Sequence, residues 1–248
     1  MNRDLYAERA ASFGSVADEY ERARPGYPDD AVRWLLGERR LTVVDLGAGT
    51  GKLTRQLVAA RHDVVAVEPL DEMRARLEAL VPEARALAGS AEAIPLPPES
   101  ADAIVAAQAF HWFDHERAMP ELARVLRPRG VLALIWNMRD DSVEWMARLS
   151  ELLGSEGFQT GYSPVEVVAR SGLFEPLEEA TFPFSQRVDR ETLRALVTSR
   201  SYVATLPAAE REELLETVDR LYEEDVEADG AVVEYVTHAF RAIRRDDA

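Results

Sequence analysis

A glycine-rich turn, DLGAGTG at residues 45–51, follows the first continuous apolar run of the chain. The run at 41–46 is typical of a buried strand, and the residues from Lys52 onward predict a helix. Because glycine has no Cβ and tolerates positive φ, the backbone of such a turn can come close to a ligand. The following helix would present free N–H groups to polar or anionic parts of that ligand. The turn therefore predicts a ligand-binding site.

The spacing of the turn separates the ligand classes that use such loops. A dinucleotide fingerprint would need glycine or alanine where Lys52 stands. A P-loop would need glycine in place of Leu46 and serine or threonine in place of Leu53. The pattern that remains is D-x-G-x-G-x-G. Glu68 closes the second predicted strand, where an acid can accept hydrogen bonds from both ribose hydroxyls, and no basic residue follows it to hold a 2′-phosphate.

The composition bounds the partners of the chain. Its 29 basic and 45 acidic residues give a net charge of −16, which disfavours a nucleic-acid substrate. There is no cysteine, so disulfides, thiolate metal sites and a cysteine nucleophile are excluded. We find neither an apolar stretch of roughly 20 residues nor an export signal, and therefore expect a cytoplasmic protein without a membrane partner. We further expect no metal, a small-molecule substrate, and a monomer or homodimer.

Apolar runs alternate with amphipathic stretches between 41 and 136, as in βαβ units with a parallel sheet. The predicted strands are 41–46, 63–68, 86–88, 102–107, 131–136, 179–184 and 232–243. The predicted helices are 7–20, 29–36, 52–60, 70–80, 117–126, 143–153, 190–199 and 208–224. We interpret 1–248 as one domain, with N-terminal helices at 1–40 and a cofactor-binding core at 41–137. Residues 138–248 would add the remaining strands and a helical substrate cap at about 189–228.

Four segments carry a family resemblance: VVDLGAGTGKLT (43–54), VVAVEPLDEM (64–73), GSAEAIPLPPESADAIVAAQAFHWFD (89–114) and ELARVLRPRGVLALI (121–135). They resemble the class I S-adenosylmethionine-dependent methyltransferases. The AFHWFD run and FGSVADEYERARPGYP (13–28) are similar to the small-molecule group that includes trans-aconitate methyltransferase-like proteins. The resemblance implies a Rossmann-like, doubly wound α/β fold. Its mostly parallel seven-stranded sheet would have an antiparallel last strand, with a helical cap inserted late in the chain.

The resemblance also implies roles in binding S-adenosylmethionine. Glu68 would hold the ribose and Met73 would lie against the adenine. The remaining cofactor residues form four groups. Asp45, Gly47, Gly49 and Gly51 would shape the methionine end; Ser90, Ala91 and Glu92 would border the adenine; Gln108 and Ala109 would lie near the sulfonium; Tyr20 and Arg24 would close the site from the N-terminal side.

The methyl acceptor is less determined than the cofactor. Methyl transfer from a sulfonium is an in-line displacement, and a general base is needed only if the acceptor keeps a proton at neutral pH. His111, after the fourth predicted strand, is either that base or, together with Trp112, a wall of the pocket. Tyr27, Arg200 and Tyr202 are further candidate substrate contacts, and Arg200 would suit a carboxylate because guanidinium pairs with it bidentately.

We therefore predict methyl transfer to a small organic acceptor, by O-methylation of a carboxylate or a hydroxyl. Two alternatives stay open. A nicotinamide-dependent oxidoreductase is disfavoured by Lys52 and by the absence of a Tyr-x-x-x-Lys pair. The other is a catalytically silent S-adenosylmethionine-binding partner protein.

Overall fold

The computed structural model describes residues 23–154, 163–225 and 230–246. The predicted helix 7–20 lies outside them. The helices are α1 (Asp29–Leu36), α2 (Lys52–Ala59), α3 (Asp71–Leu80), α4 (His115–Val125), α5 (Glu144–Leu153), α6 (Pro164–Ser171), α7 (Arg190–Thr198), α8 (Ser201–Ala204) and α9 (Ala208–Asp225). The strands are β1 (Thr42–Leu46), β2 (Asp63–Val67), β3 (Arg85–Leu87), β4 (Ala101–Ala107), β5 (Leu126–Arg139), β6 (Glu178–Val188) and β7 (Ala231–Ile243). A 3₁₀ turn at Phe110–Trp112 follows β4.

The strands form one seven-stranded sheet in the order β3-β2-β1-β4-β5-β7-β6. The pairs from β3 through β5 are parallel. β7 runs antiparallel to β5, because Arg244 N–H donates to the Gly130 carbonyl at one end and Asp140 N–H donates to the Glu234 carbonyl at the other. The predicted fold class is confirmed. Since the strand order reverses between β1 and β4, the carboxyl ends of these two strands border the crevice in which open α/β sheets bind ligands.

Two structural differences from the sequence-based prediction concern prolines. β5 begins at Leu126 rather than at 131, because the register shift opposite Ala101 and Ala103 accommodates residues 127–130 as a bulge. Helix α6 was not predicted. Ser163 begins it, since its hydroxyl accepts a hydrogen bond from Glu166 N–H and proline occupies the first turn.

The chain divides into two compact units. One comprises the described residues of Gly26–Asn137, Glu156–Phe182 and Thr237–Ala248. Its core packs helices α1 and α2 with the parallel strands, and Leu35, Leu57, Val43, Val105 and Ile135 are all buried there. Strands covered on both faces read as continuous apolar runs, which explains why the sequence pattern located them.

The other unit comprises the described residues of Met1–Pro25, Met138–Ser155 and Pro183–Val236. It contains helices α5, α7, α8 and α9, whose apolar faces form a separate core with Leu149, Leu193, Val203 and Val218 fully or almost fully buried. The predicted late helical stretches are thus real helices. Their assignment as a substrate cap, and the treatment of 1–248 as one domain, stay predictions.

Candidate cofactor and acceptor site

The glycine turn joins β1 to α2 with Gly47, Gly49 and Gly51 all at positive φ, between 57° and 91°. A Cβ on Gly47 would lie 2.7 Å from the Ala109 Cβ, so this position has no room for a side chain. A Cβ on Gly49 would meet no atom within 4 Å. The backbone at Gly49 therefore borders open space, which is the condition for close approach of a ligand.

Glu68 follows β2 and is fixed to the turn by its carboxylate. Oε2 accepts a hydrogen bond from Gly49 N–H at 2.9 Å, and Oε1 accepts one from Leu70 N–H at 2.9 Å. The side chain is buried, and this burial raises its pKa. Each carboxylate oxygen has two lone pairs, so both can still accept hydrogen bonds from a bound hydroxyl.

Asp45, the acid that opens the turn, is only 1% exposed. Its Oδ2 accepts a hydrogen bond from the Thr54 hydroxyl at 2.6 Å, whereas Oδ1 has no hydrogen-bond partner among the described residues. Burial raises the pKa of Asp45 to about 7, the Thr54 hydrogen bond opposes this rise, and the nearby charge of Glu68 adds to it. A buried acceptor without a donor is costly, so the turn is suited to a ligand that brings donors and positive charge.

The exit of β4 is held in an uncommon backbone conformation. Gln108 has φ +56°, a left-handed value that a residue other than glycine rarely adopts. Its N–H donates to the Ile135 carbonyl at 2.9 Å, and its Nε2 donates to the Asn137 carbonyl at 3.2 Å. These two bonds to β5 hold the strained residue beside Ala109, which in turn contacts Gly47 of the turn.

His111 lies in the 3₁₀ turn that follows. Its Nδ1 accepts a hydrogen bond from the Trp136 indole Nε1 at 3.4 Å, and its ring stands 4.9 Å from the Trp112 ring, centroid to centroid. Burial, with a smaller contribution from the charge of His115, lowers the pKa of His111 to about 4. Because an indole can only donate, Nδ1 must be unprotonated, and the neutral ring carries its proton on Nε2.

The other residues assigned a role from the sequence are distributed over both units. In the sheet-bearing unit, Met73 and Ala91 are buried, Ser90 pairs with Ala93, and the Glu92 carboxylate accepts a hydrogen bond from Asp114 N–H at 2.8 Å. Tyr27 is also largely buried there. In the helical unit, Arg24 Nε donates to the Ser199 hydroxyl at 3.0 Å, Arg200 is buried, and the Tyr202 hydroxyl donates to the Leu153 carbonyl at 2.7 Å. Tyr20 lies outside the described residues.

Sequence reasoning did not assign several polar residues that hold this site. The Thr54 hydroxyl donates a hydrogen bond to Asp45, and the Trp136 indole donates one to His111. The Asn137 backbone carbonyl accepts a hydrogen bond from the Gln108 side chain. The signal that could have found Asn137 is its place directly after the apolar run of the fifth strand, at the edge where ligands bind. Thr54 and Trp136 are indistinguishable by sequence from ordinary helix and core residues.

The described parts of the chain were searched for clustered metal ligands and for membrane-spanning helices. No group of three or more His, Cys, Asp and Glu side chains there could hold a metal ion. None of the helices in those parts is both long and apolar enough to cross a membrane.

Known proteins are similar to this chain in sequence and in fold. A family model described as a methyltransferase domain matches residues 44–134. An uncharacterized methyltransferase of Mycobacterium tuberculosis is 43% identical over 239 residues, which cover 95% of this chain and 96% of that protein. The chain belongs to the class I S-adenosylmethionine-dependent methyltransferases. Its cofactor is accordingly S-adenosylmethionine.

Two further proteins are similar to this methyltransferase. The malonyl-[acyl-carrier protein] O-methyltransferase of Methylococcus capsulatus is 34% identical over 194 residues, covering 74% of this chain and 68% of that protein. A solved structure of a methyltransferase from Anaeromyxobacter dehalogenans is 26% identical with a TM-score of 0.67, and covers 89% of this chain and 97% of that chain. The family assignment gives no support to a nicotinamide-dependent oxidoreductase.

Proposed function

We propose that this methyltransferase O-methylates a small organic acid at a carboxylate that is already ionised. The observation that carries the proposal is the state of His111, the one side chain that the sequence offered as a general base. With a pKa near 4 its imidazole is a weak proton acceptor at neutral pH. Its Nδ1 lone pair is also occupied by the Trp136 indole. An acceptor that needs no deprotonation fits this site, whereas a phenol or alcohol does not.

In this proposal His111 is a hydrogen-bond donor. The proton on Nε2 can donate to one carboxylate oxygen of the acceptor and thereby orient the other oxygen for attack. Holding the nucleophile at near-attack distance is the main catalytic contribution that an in-line displacement requires. Tyr27 and Trp112 complete the acceptor contacts that we propose. Contacts from Arg200 and Tyr202 to the substrate stay predictions from the sequence.

The cofactor residues fit S-adenosylmethionine, which supplies an electrophilic methyl group on a sulfonium. We assign the ribose hydroxyls to Glu68, whose two oxygens retain lone pairs. We assign the cationic methionine end to Asp45, whose Oδ1 accepts no hydrogen bond from any described residue. The open backbone at Gly49 would face the cofactor. The other cofactor assignments stay as the resemblance implied them: Met73, Ser90, Ala91 and Glu92 at the adenine, Gln108 and Ala109 near the sulfonium, Gly47 and Gly51 in the turn, and Tyr20 and Arg24 at the N-terminal side.

The Methylococcus relative supports an oxygen acceptor, since that protein is a malonyl-[acyl-carrier protein] O-methyltransferase. That similarity concerns the class of the acceptor alone. It does not name the acid that this chain methylates, and a carrier-bound acid and a free acid present the same carboxylate chemistry.

The test is transfer of radiolabelled methyl to a panel of small carboxylic acids, carrier-bound malonyl, phenols and amines. We expect incorporation into acids, as base-labile esters. At saturating S-adenosylmethionine, kcat/KM for the acid should be nearly independent of pH between about 6 and 9, because no group titrates in the attack. Incorporation into phenols or amines alone would refute the carboxylate proposal. Tight S-adenosylhomocysteine binding without methyl transfer to any acceptor would favour the silent binding protein.

Two substitutions separate a donor from a base at position 111. His111→Gln keeps an N–H near the position of Nε2 and should retain most of kcat, whereas His111→Phe keeps only the wall and should lose activity by on the order of tenfold. If His111 were the base, both variants would lose activity equally, and the wild-type pH profile would show a rising limb.

A further inference from the structure

Two side-chain amides hold the backbone of Gly26 and Tyr27, in the loop before α1. Gln56 of α2 makes a two-point contact, because its Nε2 donates to the Tyr27 carbonyl at 2.7 Å and its Oε1 accepts from Tyr27 N–H at 2.8 Å. Asn137 of β5 donates through Nδ2 to the Gly26 carbonyl at 2.9 Å. A Cβ on Gly26 would lie 2.9 Å from Gln56 Oε1, so the glycine is what allows this close fit.

Asn137 is itself fixed on its other sides. Its Oδ1 accepts a hydrogen bond from the fully buried Thr237 hydroxyl at 2.7 Å, which leaves Nδ2 to face Gly26. Its backbone carbonyl accepts the Gln108 side chain at 3.2 Å. Asn137 thus contacts the Gly26 loop through its side chain and the strained exit of β4 through its backbone carbonyl. Its side chain must both donate to Gly26 and accept from Thr237 to keep this orientation.

The two anchors lie on opposite sides of the ligand crevice. Gln56 is in the helix that begins at the glycine turn after β1, and Asn137 lies just beyond the pairing of Ala107 with Ile135, where β4 ends. In the sheet, β1 and β4 are neighbours and β5 is next to β4. The Gly26–Tyr27 peptide is bonded by Gln56 of α2 on one side and by Asn137 at the end of β5 on the other. It must therefore lie at the carboxyl ends of β1 and β4, which is where the cofactor binds in this topology.

We infer that Gln56 and Asn137 are positioning residues that hold the Gly26–Tyr27 backbone, here called the strap, over the cofactor crevice. The strap slows release of the cofactor and its product. Through Asn137 the strap is also linked to Gln108, so the position of the loop before α1 depends on the backbone conformation at the end of β4. This inference rests on the family's cofactor and is independent of which acceptor is methylated.

The primary test compares dissociation of S-adenosylhomocysteine from Gln56→Leu, Asn137→Leu and the wild type, by stopped-flow displacement and calorimetry. Leucine has the branched shape of asparagine and a size close to that of glutamine, but it neither donates nor accepts a hydrogen bond. We expect both variants to release the ligand on the order of tenfold faster, with a matching rise in Kd. The double variant should increase the dissociation rate by less than the product of the two single increases, because losing either side-chain bond already frees the same segment.

Arg241→Met is the matched control. Arg241 also holds this N-terminal segment by a side-chain bond, from NH1 to the Trp34 carbonyl at 2.7 Å, but at the end of α1 that leads into β1 and thus at the amino edge of the sheet. We expect this variant to lower the melting temperature without changing the dissociation rate. If Arg241→Met releases the ligand as fast as the two leucine variants, the amides are ordinary structural residues and the inference is wrong.

Hydrogen exchange of the wild type gives a second, independent measurement. The Tyr27 amide should exchange slowly, and S-adenosylhomocysteine should slow it further as the strap is held closed over the ligand. Exchange at Tyr27 that does not respond to the ligand would overturn the inference even if the leucine variants failed to fold.

Discussion

Asp45 makes a quantitative prediction about pH and stability, because its carboxyl is buried at the point where the cofactor would bring positive charge. Burial raises its pKa from the ordinary 3.8 to about 7 in the folded chain. Once the pH exceeds both pKa values, this difference lowers the free energy of unfolding by about 4 kcal/mol relative to its value at low pH, where Asp45 is protonated in both states. Since the folded state holds the proton more tightly than the unfolded state, Asp45 contributes stability at low pH. That contribution is lost as the pH rises toward 7.

Replacing Asp45 with asparagine removes this titration and keeps the volume and an acceptor for the Thr54 hydroxyl. Between pH 5.5 and 8, the free energy of unfolding of the wild type should fall relative to Asp45→Asn by about 2 kcal/mol, most of it below pH 7. At pH 8 the variant should be as stable as the wild type or more stable, and yet bind S-adenosylmethionine more weakly. The assay is urea denaturation of the cofactor-free chain at closely spaced pH values, with cofactor affinity measured by calorimetry at pH 8.

Asp102 provides a control, because its pKa is shifted in the direction opposite to that of Asp45. Its carboxylate accepts hydrogen bonds from Thr42 N–H and Arg127, which hold its pKa below the ordinary value although burial opposes them. Asp102→Asn should therefore lose stability at neutral pH and alter the pH dependence only in the acid range. If wild type and Asp45→Asn show parallel stability curves between pH 5.5 and 8, the reasoning about Asp45 is refuted.

Three further substitutions test single contacts of the site. Gly47→Ala should abolish cofactor binding and lower the melting temperature, since its Cβ would stand 2.7 Å from the Ala109 Cβ at a φ of +69°; a well-folded variant that binds normally would contradict this. Glu68→Ala should weaken S-adenosylhomocysteine binding by about 1–3 kcal/mol, because the ribose hydroxyls lose their acceptor; an unchanged calorimetric Kd would show that the ribose lies elsewhere. Trp136→Phe should free Nδ1 of His111 and allow the other tautomer, which lowers kcat toward acids and leaves the KM for S-adenosylmethionine unchanged. The measurement is steady-state kinetics with both substrates varied, and a changed KM for S-adenosylmethionine at unchanged kcat would contradict this prediction.

Much of the fold followed from local pattern. The long parallel strands of the sheet-bearing unit are apolar runs that alternate with amphipathic helices, so a parallel α/β sheet could be predicted from the type and succession of the elements. The glycine spacing and Glu68 indicated the cofactor because turn chemistry is local. The bulge at 127–130 could not be predicted, since its extra residues are defined by pairing with a different strand.

The sequence by itself indicated the cofactor class, because the glycine turn, the acid after β2 and the other segments that carry the family resemblance are short-range features that can be recognised without the tertiary structure. Only the tertiary structure decided the state of the site residues. Three features depend on which strands end side by side: Asp45 Oδ1 without a partner among the described residues, the proton position on His111, and the hydrogen bond from Asn137 to Gly26, 111 positions away. Burial and hydrogen-bond direction arise from that register, and they set the pKa values and tautomer on which the choice of methyl acceptor depends.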